Sequence, residues 1–524
     1  MSVTVIDGKE VVIAFRNIPY SLLSNDLGKK SSQVTAEMEQ IMGYYKAYDE
    51  GSKFDPEGSA GDYVASTLKY KLASTLIKKE ARFLFGETPD IKIEAKGDLG
   101  KVSSEAKDML TIIQDLIDTV LRKNMFDNKL IKAARDCFIG KRVAGMVNFN
   151  SEQGISIDFI SSLNFIYDTD PSDENRITNF ICYKVINETT NLTDKIIYRK
   201  RYTLEKHEGE NICYVEETLH DGRGVMIEEV TPYQPTLLSR IPVVIILNDG
   251  LLDERLGTSE IKELDAFESY YSKLSNGDID SERKNMHPIR YTVDMDTVTT
   301  KDLSSSPGSY WDLASDENRD TCHPAVGTLE SSMSYSEALD KTLRRIKANM
   351  YDVVDVPDVT LENLQGVITS GKAMKCIYWP LIIRTKEKMK TWGPKLEMLI
   401  DIIIEGAKVY PESTKLYTDD EVGNVSYEIN IVGNYPLPED EQEEKQMDIS
   451  EVTAQTMSKK SYMKKWRGLT DQEVQEELEQ MALERQILED SSIIGSFDEN
   501  PLDSQVNNKD IVGGTSGVST GQEK

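Results

Sequence analysis

Hydrophobic spacing along this chain switches from helical to alternating near Lys141, and back to helical at Thr258. Leu68, Leu72 and Leu76 recur every four residues, and Phe83-Leu84-Phe85 closes the run before Gly86 and Pro89. That pattern predicts a helix from near Asp62. A second helical region spans Ser103 to Asp136, carrying Leu110, Ile113, Leu116, Ile117, Val120 and Leu121. Strand-like runs follow at 143–149, 155–160, 180–186, 195–204, 212–219 and 225–230, separated by turn clusters such as Asp221-Gly222. Pro242 to Leu247 adds one buried strand. Helices followed by an antiparallel meander predict an α+β fold. The first sixty or so residues read as loosely organised, with a turn-rich stretch from Gly51 to Gly61.

The second switch is abrupt. Thr258 and Ser259 are N-cap types, and Glu260 stands in the first turn, where the helix dipole favours a carboxylate. Ile261, Leu264, Phe267, Tyr271 and Leu274 then form one apolar stripe on a helix running to about Lys284. Residues 286–330 are irregular, with strand-like runs at Ile289–Val293 and Tyr310–Leu313 and a turn at Pro307-Gly308. Another helix, from about Tyr335 to Tyr351, carries Leu339, Leu343, Ile346 and Met350. Two long helices bracketing a small mixed insertion predict a protruding stalk. Val353 to Ser370 contains Pro357 and Gly366 and reads as a partly ordered loop. Gly371 to Tyr410 is helical with an expected break at Gly393-Pro394, and Tyr427–Val432 is a strand. Helices resume after the acidic run Glu439-Asp440-Glu441 and continue to about Asp490; Phe497 to Lys524 reads as disordered.

Composition narrows the function classes. With 524 residues, the chain can bury several cores. The balance of 61 basic against 90 acidic residues gives a net charge of −29. Such a surface repels a phosphate backbone, which argues against sequence-specific gripping of DNA. No apolar run approaches the roughly 18 residues that a membrane span needs, and the N-terminal segment lacks the features of a secretory signal, so a cytoplasmic origin is expected. Five separated cysteines, none in CxxC spacing, read as buried free thiols in a reducing compartment. No disulfide framework, cofactor or metal site is expected. His287 with Cys322-His323 lacks ligand spacing. Asp168-Thr169-Asp170 and Asp294-Met295-Asp296 are carboxylate pairs of a kind that binds Mg²⁺, but the first precedes Pro171 in a turn context, where Asp is ordinary. The sequence has no GxxxxGK[ST], GxSxG or HExxH, so no enzyme is expected.

Several segments, in order, resemble the portal proteins of siphovirus-type phages of Gram-positive bacteria. They are Phe85-Gly86-Glu87-Thr88-Pro89, then Ile241-Pro242-Val243-Val244 leading through Asn248 and Gly257-Thr258-Ser259-Glu260-Ile261 into Leu264-Asp265-Ala266. Pro357-Asp358, Ser370-Gly371-Lys372-Ala373-Met374-Lys375 and Pro436-Leu437-Pro438-Glu439-Asp440 complete the set, over most of residues 60–490. The resemblance implies a portal fold: a wing at 1–257 and 371–435, stem helices at 258–285 and 334–351, a small mixed α/β clip at 286–333, a tunnel loop at 352–370 and a helical crown at 436–490, followed by a disordered tail at 491–524. It implies a closed ring, usually of twelve subunits, at one capsid vertex in the virion. Double-stranded DNA would pass through that channel during packaging and ejection. Terminase large subunit, head–tail adaptor, major capsid protein and scaffold would be partners, with assembly in the host cytoplasm and no membrane. The packaging ATPase would be another protein, since this chain has no P-loop. A different head–tail connector, an adaptor or scaffold, and a packaging-associated nuclease remain alternatives.

Three groups of site residues follow. Lys341, Arg344 and Arg345 share one helix face, with Lys347 beside them, and are candidates for a basic ring on the channel wall; pairing with Glu337 and Asp340 is the competing reading. Val353, Val354, Pro357, Val359, Leu361 and Leu364 mark the tunnel loop. Leu264, Phe267 and Tyr271 are expected to be partly covered by the neighbouring subunit, because a two-helix stalk has little else to cover them.

Overall fold

The computed structural model describes residues 2–6, 9–13, 18–56, 64–96, 104–187, 194–248, 250, 256–286, 289–294, 323, 325–329, 333–359, 375–414, 426–435, 441–469 and 473–484. It divides into two units, Met1–Pro438 and Glu439–Lys524.

In the first unit, β1 (Ser2–Ile6) and β2 (Lys9–Ile13) pair as an antiparallel hairpin. Helices α1 (Tyr20–Leu27) and α2 (Ser31–Glu50) follow, in a region expected to be loosely organised. Their signal was present: Val34, Met38, Ile41, Tyr45 and Tyr48 alternate at four- and three-residue spacing, and Met38 and Ile41 are buried. α3 (Leu72–Phe85) begins well after Asp62, and residues 64–71 have no regular secondary structure. β3 (Asp90–Ala95) leads to α4 (Ser104–Lys123) and α5 (Phe126–Gly140). These two replace the single helical region expected, and Met125 at the break is left-handed, with φ 48°.

The strands are β4 (Arg142–Asn150), β5 (Gly154–Ser161), β6 (Phe165–Asp170), β7 (Asp173–Val185), β8 (Ile196–His207), β9 (Glu210–Asp221), β10 (Met226–Pro235) and β11 (Val243–Leu247). They form two sheets and not one meander: a five-stranded sheet ordered β10-β9-β8-β7-β6, and a three-stranded sheet ordered β11-β4-β5. β11 returns across the chain to pair antiparallel with β4. The corner between α4 and α5 is fixed on β5, because Asn124 accepts from Ile157 N at 2.9 Å and donates to Ile155 O at 3.0 Å.

α6 (Glu260–Met286) and α7 (Ser336–Val353) bracket a hairpin of β12 (Ile289–Val293) and β13 (Ala325–Leu329). The strand expected at Tyr310–Leu313 lies outside the described residues. α8 (Trp379–Val409) runs unbroken through Pro394. Burial of Trp392, Leu396, Leu399, Ile400 and Ile403 on both sides of the proline favours helix continuing through a residue that ordinarily kinks or breaks one. β14 (Tyr427–Val432) pairs antiparallel with β3. The largest core joins α3, α4, α5, α8 and the three-stranded sheet, and takes in Ile261 and Leu264 of α6 and Met350 of α7.

The second unit holds α9 (Glu441–Thr453), α10 (Lys459–Arg467) and a helix over 473–484. Among the described cysteines, Cys137, Cys182 and Cys213 are buried, whereas Cys376 is exposed, against expectation. No described helix is long and apolar enough to cross a membrane. The region expected to be disordered, Phe497–Lys524, lies outside the described residues, as does the 491–524 tail.

Candidate functional site: a helix pair rooted in buried charge

The base of α6 is fixed before the helix starts. Gly257 has φ +76°, and a Cβ there would stand 2.5 Å from Lys141 O, so a side chain is excluded on both counts. Ser259 Oγ donates to Ile139 O at 2.6 Å and accepts from Ile261 N at 3.2 Å, capping α6 while tying it to the end of α5. Glu260, in the first turn, is the centre of a buried charged cluster. Its carboxylate accepts from Lys388 Nζ at 2.7 Å, Arg384 Nη2 at 2.6 Å and Asn248 Nδ2 at 3.1 Å. Arg384 and Lys388 also meet Glu80 of α3, at 2.8 Å and 3.2 Å. Lys388 Nζ lies over the Phe138 ring as well, 3.9 Å from its centroid. Two carboxylates and two cations balance in a space where an unpaired charge would cost several kcal/mol, on the order of 3–5. Burial by itself would raise the Glu260 carboxyl, but Lys388 and Arg384 outweigh it and hold the group at about 2.

Along α6, the residues Glu268, Ser272, Asn276 and Asp280 recur every fourth position, and all four are buried. Glu268, Asn276 and Asp280 of this ladder clasp the irregular segment 64–71 and the start of α3 in the same chain. Glu268 accepts from Ala73 N at 3.2 Å. Asn276 both accepts from Leu68 N at 2.8 Å and donates to Leu68 O at 2.7 Å. Asp280 accepts from Ser66 N at 3.0 Å and Ser66 Oγ at 2.6 Å. Tyr271 packs edge-on against Tyr70, with ring centroids 5.1 Å apart.

The residues expected at a subunit interface separate by burial. Leu264 is wholly buried within its own chain and is unavailable to a neighbour; Phe267 and Tyr271 are half-buried on the same side. The stalk was expected to have two helices per subunit; an irregular segment of the same chain also lies against α6. On α7, Lys341 pairs with Glu337 at 2.7 Å and Arg344 with Asp340 at 3.0 Å. Lys347 lies 3.7 Å from Asp358 and over the Tyr351 ring. Arg345 is exposed and makes no ion pair among the described residues.

The expected tunnel loop also changes. Val353 belongs to α7, and Val354 and Val356 are buried in the main core, so the chain just after 352 packs against its own subunit. Asp355 turns back to Arg384 at 3.7 Å, and Pro357 and Val359 are half-buried. Leu361 and Leu364 lie outside the described residues.

The carboxylate pairs have local partners. Asp168 meets Lys30 at 3.1 Å, and Asp170 accepts from Ser172 N at 2.9 Å, the turn role expected of it. Asp294 accepts from His323 N at 3.2 Å. No group of three or more metal-ligating side chains exists among the described residues. The sequence reading missed Glu80, Glu268, Asn276, Asp280, Arg384 and Lys388. The fourfold spacing of the ladder was visible, but polar residues at helical period ordinarily mark a solvated face.

The arrangement is a positioning device: a helix pair whose base is locked by charge to α3 and α8, and whose distal end carries a hairpin. No curated protein matches the chain. The family model described as "Phage portal protein, SPP1 Gp6-like" matches residues 30–488. That match takes in both sheets, the helix pair and most of the second unit, and by it the chain belongs to the phage portal protein family.

Proposed function

We propose that this chain is the subunit of a closed portal ring whose α6 and α7 form the stem and whose β12–β13 hairpin is the clip. Family membership makes it a structural component of the virion that acts in DNA packaging. The observation that carries the finer reading is the α6–α7 pair, rooted in the Glu80–Glu260–Arg384–Lys388 cluster and bracketing a two-stranded hairpin. A stem must keep its angle while DNA moves past it, and a satisfied buried polar network between helices rigidifies their junction. The distal hairpin suits docking of terminase and of a head–tail adaptor. Val354 and Val356 anchor the root of the proposed tunnel loop in the main core. Replacing residues 289–329 with a short Gly-Ser linker tests the assignment. Rings should persist while terminase and adaptor binding are lost; unchanged binding of both would place their docking elsewhere.

A further inference from the structure

The second unit is short of core. Among its described residues only Met463 and Val474 are buried apolar side chains. Met447, Ile449, Met481 and Leu483 are exposed by 61, 47, 40 and 62%. Three short helices on so small a core are poorly stable alone and need covering from outside. Their charge is sorted as well. α10 carries Lys459, Lys460, Lys464, Lys465 and Arg467, all exposed, with no acidic residue, in a chain whose net charge is −29. The 473–484 helix exposes Glu473, Glu476, Glu479 and Glu484 and has no basic residue. Lys465 pairs with Asp448 and Arg467 with Glu477, both at 2.8 Å. Asp448 is buried, whereas the exposed Arg467–Glu477 pair is weak, about 0–1 kcal/mol, and exchanges readily.

We infer that the basic α10 of one copy packs against the acidic 473–484 helix of the next, covering Met481 and Leu483. A head-to-tail contact needs two unlike, complementary patches on one subunit, and this unit carries both. The inference rests on the portal reading, which supplies the neighbours. Lys460 and Lys464, one turn apart, face Glu476 and Glu479, also one turn apart.

The test uses two full-length charge reversals, K460E/K464E and E476K/E479K, made alone and co-expressed. A carbodiimide forms an amide between a lysine and a touching carboxylate, and peptide mass spectrometry locates it. Wild-type protein should link 459–467 to 473–484 between isotopically mixed copies. Each reversal alone should lose the link, because like charges then meet. Co-expression should restore it, now joining 459–467 of the first variant to 473–484 of the second, which only two different chains can do. A link found only within single wild-type chains, or one that co-expression fails to restore, overturns the inference. So does loss of duplex-DNA binding by K460E/K464E with the wild-type link absent, which would give the basic stripe to phosphate. Micrographs of the same wild-type samples separate the two claims. Rings without the link defeat this contact alone, whereas folded protein that makes no rings defeats the portal reading.

Discussion

Lys388 Nζ stands 2.7 Å from Glu260 Oε1 with both side chains buried, so the middle of α8 is fastened to the first turn of α6 by a charge pair that water does not reach. Removing one member strands the others. Lys388→Met should destabilise the folded chain by about 3–5 kcal/mol, whereas Lys388→Met with Glu260→Gln should cost well under the sum of the single changes. Denaturant titration of the three variants measures both. Additive losses would mean that the two residues act separately.

Two buried glutamates on α6 give opposite pH dependences. Burial raises the Glu268 carboxyl to about 7, despite the hydrogen bond from Ala73 N. Its folded value lies above the ordinary 4.5, so its contribution to stability is complete below pH 4.5 and lost as pH rises through about 7. Glu260 is held at about 2, so its contribution is present above pH 4.5 and lost as pH falls toward 2. Glu268→Gln should therefore raise the melting temperature at pH 8 and leave it nearly unchanged at pH 4. An equal shift at both values would show that the ionised form carries no penalty.

The clasp on α6 can be opened without touching the apolar core. Asn276→Ala removes both hydrogen bonds to Leu68 and should cost about 1–3 kcal/mol. Amide exchange should speed up first at residues 66–70, and slow exchange there in the variant would show that the segment is held by other contacts. Leu264→Asp, by contrast, should unfold the subunit itself, because Leu264 lies in the core and not at a surface.

Much of the outline was legible from spacing alone. α6 was expected to start at Thr258 and starts at Glu260, and the strand runs fall on β4, β5, β7, β8, β9, β10 and β11. Those signals are local: a period, a cap, a turn. The charged root was not legible, because Glu80, Glu260, Arg384 and Lys388 come from segments up to three hundred residues apart and each reads alone as a surface residue. The burial of Val354 and Val356 was not legible for a related reason. Pro357 and the nearby acids mark irregular chain, but irregular chain can still bury its valines when Asp355 has Arg384 to meet. The split of one meander into two sheets depended on β11 returning to β4, a pairing nearly a hundred residues long in sequence that no local pattern encodes.

The basic residues of α7 separate by their partners. Lys341 and Arg344 have acidic partners one turn away, and replacing either with Gln should change subunit stability by less than about 0.5 kcal/mol. Arg345 is exposed and has no such pair among the described residues, so Arg345→Glu should impair DNA packaging more than Lys341→Gln, with ring formation intact in both. A packaging assay on the two variants decides it; equal yields would remove α7 from the channel wall.

The central claim is that this chain closes into a ring around a channel. Electron microscopy of the purified, folded wild-type protein tests it most directly. Closed rings with a central opening wide enough for a DNA duplex are the predicted result. A homogeneous population of folded monomers under native conditions would contradict it.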